Sequence, residues 1–179
     1  KRCGHMKGKS VVGTDEMVQK VRAAAMARRN PDFVVKARTD AFATHGLDEA
    51  IRRLNLYADA GADLLLADAL AKESDVAAVA KAVKKPLCVN MGFGIRQRST
   101  TQLISVKRMK ELGVNAVMYG RMLSASALQG LKNSLQAFEE SRDDDVVTER
   151  PDLLFSFEQL NELMDLRSVN ELETKLSAP

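Results

Sequence analysis

Asp59-Ala60-Gly61-Ala62-Asp63-Leu64-Leu65-Leu66-Ala67-Asp68, the stretch DAGADLLLAD at residues 59–68, reads as the end of a helix, a glycine stop, a short apolar run and a closing acid. A near-continuous run of this length suits a strand buried on both faces, as in a parallel sheet. The same joint recurs at Glu111-Leu112-Gly113-Val114-Asn115, ahead of Ala116-Val117-Met118-Tyr119. In both copies a helix gives way to glycine, a small apolar residue, a short polar residue and a strand. Two copies of one joint point to a repeating α/β unit.

Outward from this joint, the runs Phe33-Val34-Val35-Lys36-Ala37 and Leu87-Cys88-Val89 complete a set of four predicted strands. Between them the apolar residues fall at helical spacing: Leu47, Ile51, Leu54 and Ala58, then Val76, Val79 and Val83, then Val106 and Met109. A longer stripe, Ser124, Leu128, Leu131, Leu135 and Phe138, predicts a long helix after the last strand. Thr14 before Asp15 and Glu16 reads as a helix cap, and Asn30-Pro31 as that helix's end. Beyond a charged break at Ser141–Asp145 and Glu149-Arg150-Pro151, Ser156 with Gln159 and Ser168 with Glu171 have the spacing of capping boxes opening two short helices. Four parallel strands with helices over 1–141, a loop at 1–10 included, make either a small doubly wound sheet or half of a (β/α)₈ barrel, followed by a polar linker at 142–155 and a helical extension over 156–179.

Composition narrows the function classes. The 179 residues are 45% hydrophobic and 28% charged, enough for one domain with a buried core. Net charge is +3, but 24 acids are mixed among the cations, which argues against nucleic acid as a partner. No apolar run approaches the roughly 20 residues of a membrane span, so a membrane role is not expected and a cytoplasmic location is. Two cysteines and two histidines without paired spacing argue against a disulfide framework or structural zinc, and Cys88 reads as core filler.

In parallel α/β architectures the chemistry gathers at the carboxyl ends of the strands. Arg38-Thr39-Asp40 follows the first run, Asp68 the second, Asn90 the third and Gly120-Arg121 the fourth. A cation, carboxylates and an amide on one rim suit an anionic, oxygen-rich small molecule. Arg38 has a second reading, an internal ion pair with Asp40 or Asp68.

Lys1-Arg2-Cys3-Gly4-His5 resembles the catalytic-loop motif of the isocitrate lyase and phosphoenolpyruvate mutase superfamily. Ala37-Arg38-Thr39-Asp40-Ala41, Gly46-Leu47-Asp48-Glu49-Ala50-Ile51, Ala60-Gly61-Ala62-Asp63 and Val89-Asn90-Met91 follow in that family's order. The segments Asn90–Arg96 and Tyr119–Leu123 are most similar to the branch of 2,3-dimethylmalate lyase, oxaloacetate decarboxylase and carboxyphosphonoenolpyruvate mutase. The fold class this implies is α/β, the C-terminal half of a (β/α)₈ TIM-type barrel of about four parallel strands. C-terminal helices would pack on a partner subunit, making a homo-oligomer, a tetramer by family, with exchanged helices.

The resemblance also implies a carbon-carbon lyase acting on a small 2-hydroxy or 2-oxo dicarboxylate. Cys3 would protonate the enolate-like product, with Lys1, Arg2 and His5 stabilising its thiolate. Gly4 would let the loop approach the ligand. Arg38, Asp68, Asn90, Met91 and Gly92 complete the expected substrate-binding set, Asp68 standing where the family usually carries glutamate. Ala125 and Gly120 replace an arginine and a proline of methylisocitrate lyases, favouring a dicarboxylate over a tricarboxylate. Mg²⁺ is the implied cofactor, but the aspartate-rich segment that holds it in the family is absent from these residues. The chain is therefore expected to be a fragment, inactive by itself. A carboxyphosphonoenolpyruvate phosphonomutase-type enzyme and a non-catalytic truncated remnant are the alternatives.

Overall fold

The computed structural model describes residues 8–94, 101–145 and 148–177. Two compact units divide the chain, Lys1–Met122 and Leu123–Pro179. In the first, the element order is α1 (Thr14–Ala27), β1 (Lys36–Thr39), α2 (Phe42–His45), α3 (Leu47–Asp59), β2 (Leu64–Ala67), α4 (Glu73–Ala82), β3 (Leu87–Asn90), α5 (Val106–Glu111) and β4 (Ala116–Met118). The four strands are parallel and lie in sequence order, β1-β2-β3-β4. The long helix α6 (Met122–Glu140) begins at the boundary, and α7 (Phe157–Leu163) and α8 (Leu166–Leu176) follow it.

The two faces of the sheet are separated by the strand period of two. Ala37, Leu65, Ala67, Leu87 and Val89 belong to the main apolar core, together with Leu54 and Tyr57 of α3, Val76 and Val79 of α4, and Met109 of α5. This is the helix-covered side. The opposite face carries Lys36, Arg38, Leu66, Cys88, Asn90 and Met118 by register. Lys36 Nζ on β1 reaches Met118 Sδ on β4 at 3.6 Å. Three strand spacings in a flat sheet would separate those backbones by about 14 Å. The contact therefore joins the two outer strands across a concave face, the curvature of a (β/α)₈ barrel wall.

The glycine joint folds as one device in both copies. Gly61 and Gly113 take φ of +107° and +87°, the left-handed region that glycine enters without steric cost. Ala62 N–H then donates to Tyr57 C=O and Val114 N–H to Met109 C=O, each at 3.0 Å. The short polar residue that follows fastens the next strand to its neighbour. Asp63 accepts from Val35 N–H through Oδ2 at 2.9 Å and donates its own N–H to Val35 C=O at 2.9 Å. Asn115 repeats this with Leu87, accepting through Oδ1 at 2.9 Å and donating its N–H at 3.0 Å.

Several boundaries differ from the sequence reading. The first strand is Lys36–Thr39 rather than Phe33–Ala37, because the ladder begins where Asp63 reaches Val35, and Phe33 N–H instead closes a turn on Asn30 C=O. Phe33 and Val34 are exposed. Thr14 is the first helical residue and Gly13 the cap; the Thr14 hydroxyl accepts from Arg52 instead. That helix stops at Ala27, where Arg28 turns extended and pairs with Asp63 at 2.7 Å, ahead of Asn30-Pro31. In the second unit, Ser156 and Gln159 form the expected reciprocal capping box. Ser168 lies inside α8 instead of opening it, since the chain turns at Asp165 with φ of +51°.

Candidate functional site

Three of the expected residues meet at the carboxyl ends of the strands. Arg38 stands near the end of β1, Asp68 follows β2, and Asn90 closes β3. Asp68 N–H donates to Thr39 C=O at 2.9 Å, which carries the β1–β2 ladder one residue past the strand and fixes the acid beside Arg38. Arg38 Nη2 donates to Asp68 Oδ2 at 2.6 Å, and Asn90 Nδ2 donates to Asp68 Oδ1 at 2.8 Å. Asp68 is 2% exposed, so its charge is held by these donors and not by water.

Arg38 makes its two-pronged contact with Asp40, through Nε to Oδ1 at 2.7 Å and Nη2 to Oδ2 at 3.2 Å. The internal pairing considered from sequence is therefore present with both acids. Beneath Asp40, Ala41 N–H donates to Thr39 Oγ1 at 3.2 Å, a short turn that folds the acid back toward Arg38. Lys9 Nζ adds a second cation, 3.6 Å from Asp40 Oδ2 and 3.9 Å from Asp68 Oδ2. Arg38 and Lys9 thus face Asp40 and Asp68 on this rim, with the Asn90 amide beside Asp68.

Met91 is buried, and its N–H donates to Met118 C=O at 3.0 Å, extending the β3–β4 ladder. Gly92 follows on the exposed surface. The next residue, Phe93, meets Tyr119 edge-on at a centroid distance of 6.0 Å, joining the loops after β3 and β4. Cys3, Gly4 and His5 lie outside the described residues. Lys9 and Asp40 were not among the expected site residues. Asp40 carried a signal, a carboxylate two positions after Arg38; Lys9 carried none, since only folding brings its loop to β1.

The described residues do not fit a magnesium ion. Among them no three His, Cys, Asp or Glu side chains converge. The two rim carboxylates are already faced by Arg38 and Lys9 within 2.6–3.9 Å, whereas a hard divalent cation takes several free oxygens. Cys88 lies on the concave face, and burial pushes its thiol above the ordinary range, with Lys36 opposing. It is a packed thiol, not a nucleophile.

The fold and sequence have known counterparts. Residues 3–139 match the family model described as phosphoenolpyruvate phosphomutase. The chain belongs to this phosphoenolpyruvate mutase and isocitrate lyase family. It is 43% identical over 136 residues to a probable 2-methylisocitrate lyase 2 of Corynebacterium glutamicum, covering 75% of this chain and 43% of that one. It is 34% identical over 173 residues to the 2,3-dimethylmalate lyase of Eubacterium barkeri, covering 97% and 57%. The chain therefore spans about half the length of these relatives. Among solved structures, an oxaloacetate acetylhydrolase in complex with the inhibitor 3,3-difluorooxalacetate superposes with a TM-score of 0.83 at 30% identity, over 100% of this chain and 58% of that one. A phosphonopyruvate hydrolase in complex with oxalate and Mg²⁺ superposes with a TM-score of 0.73 at 26% identity, over 96% and 60%. Among the described residues no helix is long and apolar enough to cross a membrane.

Proposed function

We propose that this chain supplies the strand-end half of the pocket of a carbon-carbon lyase that cleaves a small 2-hydroxy or 2-oxo dicarboxylate. The observation that carries this reading is the hydrogen-bonded row Arg38–Asp68–Asn90 across the ends of three successive parallel strands. Its donors suit an oxygen-rich anion, and the relatives named above are lyases or hydrolases of such acids. Cys3 is the proposed proton donor to the enolate-like product, with His5 and the cations beside it keeping the thiolate accessible. Arg38 and Asn90 orient the ligand, and Asp68 holds both side chains in place. Magnesium, the family's expected cofactor, finds no fitting donor set in the described residues.

The decisive experiment is an assay of the chain with magnesium and, separately, 2,3-dimethylmalate, oxaloacetate and methylisocitrate. Binding of one of these acids supports the pocket reading, and cleavage that is lost in Cys3→Ser while binding persists supports Cys3 as the proton donor. Turnover unchanged in Cys3→Ser removes Cys3 from the chemistry. Binding of none of the three acids removes the pocket.

The partner proposed is a second copy, joined through the C-terminal helices. Leu128, Leu131, Leu135 and Phe138 of α6 are each more than 60% exposed, as is Leu163 of α7. Exposed apolar stripes of this extent are characteristic of association surfaces. Sedimentation of a monomer at micromolar concentration would contradict it.

A further inference from the structure

Lys9 is the group on this rim whose chemistry the hydrogen-bond network leaves unused. Its side chain is 6% exposed, and Nζ is buried without a hydrogen-bond acceptor among the described residues. An ammonium carries three donors, and withdrawing it from water without acceptors is costly. The distances of 3.6 Å to Asp40 and 3.9 Å to Asp68 are too long for charged hydrogen bonds, which run at about 2.7–2.9 Å. The oxygens Lys9 faces, Asp68 Oδ2 and Asp40 Oδ2, both accept from Arg38 Nη2. Lys9 is thus held by attraction to both acids while bonding to neither.

We propose that Lys9 is a ligand-anchoring residue, its ammonium donating to a carboxylate oxygen of a small dicarboxylate seated on the Arg38–Asp68–Asn90 row. The inference rests on the lyase reading above and names a binding group that reading does not include. Charge supplies the second half of the argument. Arg38 and Lys9 carry two positive charges against the two negative charges of Asp40 and Asp68, so these four groups together face an anion without net repulsion. Without Lys9 the same four positions would sum to a negative charge facing a negative ligand.

The test is calorimetric titration of the 179-residue chain with oxalate in magnesium-free buffer, repeated with oxamate, in which one carboxylate is an amide. Lys9→Met is expected to weaken oxalate roughly ten- to a hundredfold, the span of one charged hydrogen bond. It should weaken oxamate less, and Lys9→Arg should restore part of the loss. Equal oxalate affinity in wild type and Lys9→Met overturns the proposal, as does an equal loss for oxalate and oxamate with a lowered melting temperature, the mark of a merely structural lysine. Wild-type protein that binds neither ligand sinks the lyase reading and this proposal together, an outcome distinct from the other two. Lys9→Gln carries the same comparison should the methionine variant not fold.

Discussion

Arg38 Nη2 lies 2.6 Å from Asp68 Oδ2, joining the ends of β1 and β2 across 30 residues of sequence. Asp68 is buried while the Arg38 side chain is 29% exposed, so the pair is only partly withdrawn from water. Breaking such a pair from its buried side costs more than the pair contributes, because the remaining charge loses its partner. Asp68→Asn is expected to lower stability by about 2–3 kcal/mol in urea unfolding, since the new amide can accept from Arg38 or from Asn90 only by turning its own NH₂ toward the other. A change below about 0.5 kcal/mol would mean that the row is not a structural unit.

Gly61 presents a sharper test of the helix-to-strand joint. At φ +107° a side chain is strained, and a Cβ there would stand 2.8 Å from Ala25 Cβ of α1. Gly61→Ala should destabilise by roughly 1–3 kcal/mol. At Gly120 a Cβ would meet nothing within 4 Å, so Gly120→Ala should stay within about 0.5 kcal/mol. Equal thermal shifts for the two variants would contradict the geometry of the joint.

Leu54 anchors α3 on the covered face of the sheet and is fully buried. Leu54→Ala should cost about 2–5 kcal/mol by lost burial and the cavity left behind. Denaturant unfolding checks this, and the slope of the transition should be unchanged if only the packing is affected.

Glu49 sets a pH dependence with a defined sign. Side-chain hydrogen bonds from Arg52 and then Arg53 hold its carboxyl down at about 2, against an ordinary value of 4.5, despite opposition from burial. A depressed folded-state value means stabilisation that is fully present above about 4.5 and is lost as pH falls toward 2. Glu49→Gln should therefore be less stable than wild type at pH 7, the gap closing by pH 2. A gap that persists at pH 2 would assign the loss to packing instead.

Cys88 predicts a chemical contrast. Its thiol is buried and pushed up by desolvation. In a Cys3→Ser background, a thiol reagent at pH 8 should react with Cys88 only as fast as the protein unfolds. Rapid labelling in native buffer would show that the concave face admits the reagent.

The four strands and their carboxyl-end residues were legible because parallel burial writes apolar runs and the glycine joint repeats. Strand onset was not: Phe33 and Val34 have strand composition, yet the ladder starts only where Asp63 reaches Val35. Ser168 illustrates the same limit, a capping pattern overridden by the turn at Asp165. Arg38, Asp68 and Asn90 could be placed because each lies at or just beyond a strand end. Lys9 could not, because its closeness to two acids 31 and 59 positions away arises only from tertiary folding, and no periodicity encodes it.

The duplicated fastening by Asp63 and Asn115 makes the two modules that carry it, α3–β2 and α5–β4, self-aligning. The instruction for where a new strand sits is written in the residue that opens it, addressed to the strand already in place. A module carrying its own clasp sets the register of its strand by one local contact, independently of the modules further along the wall.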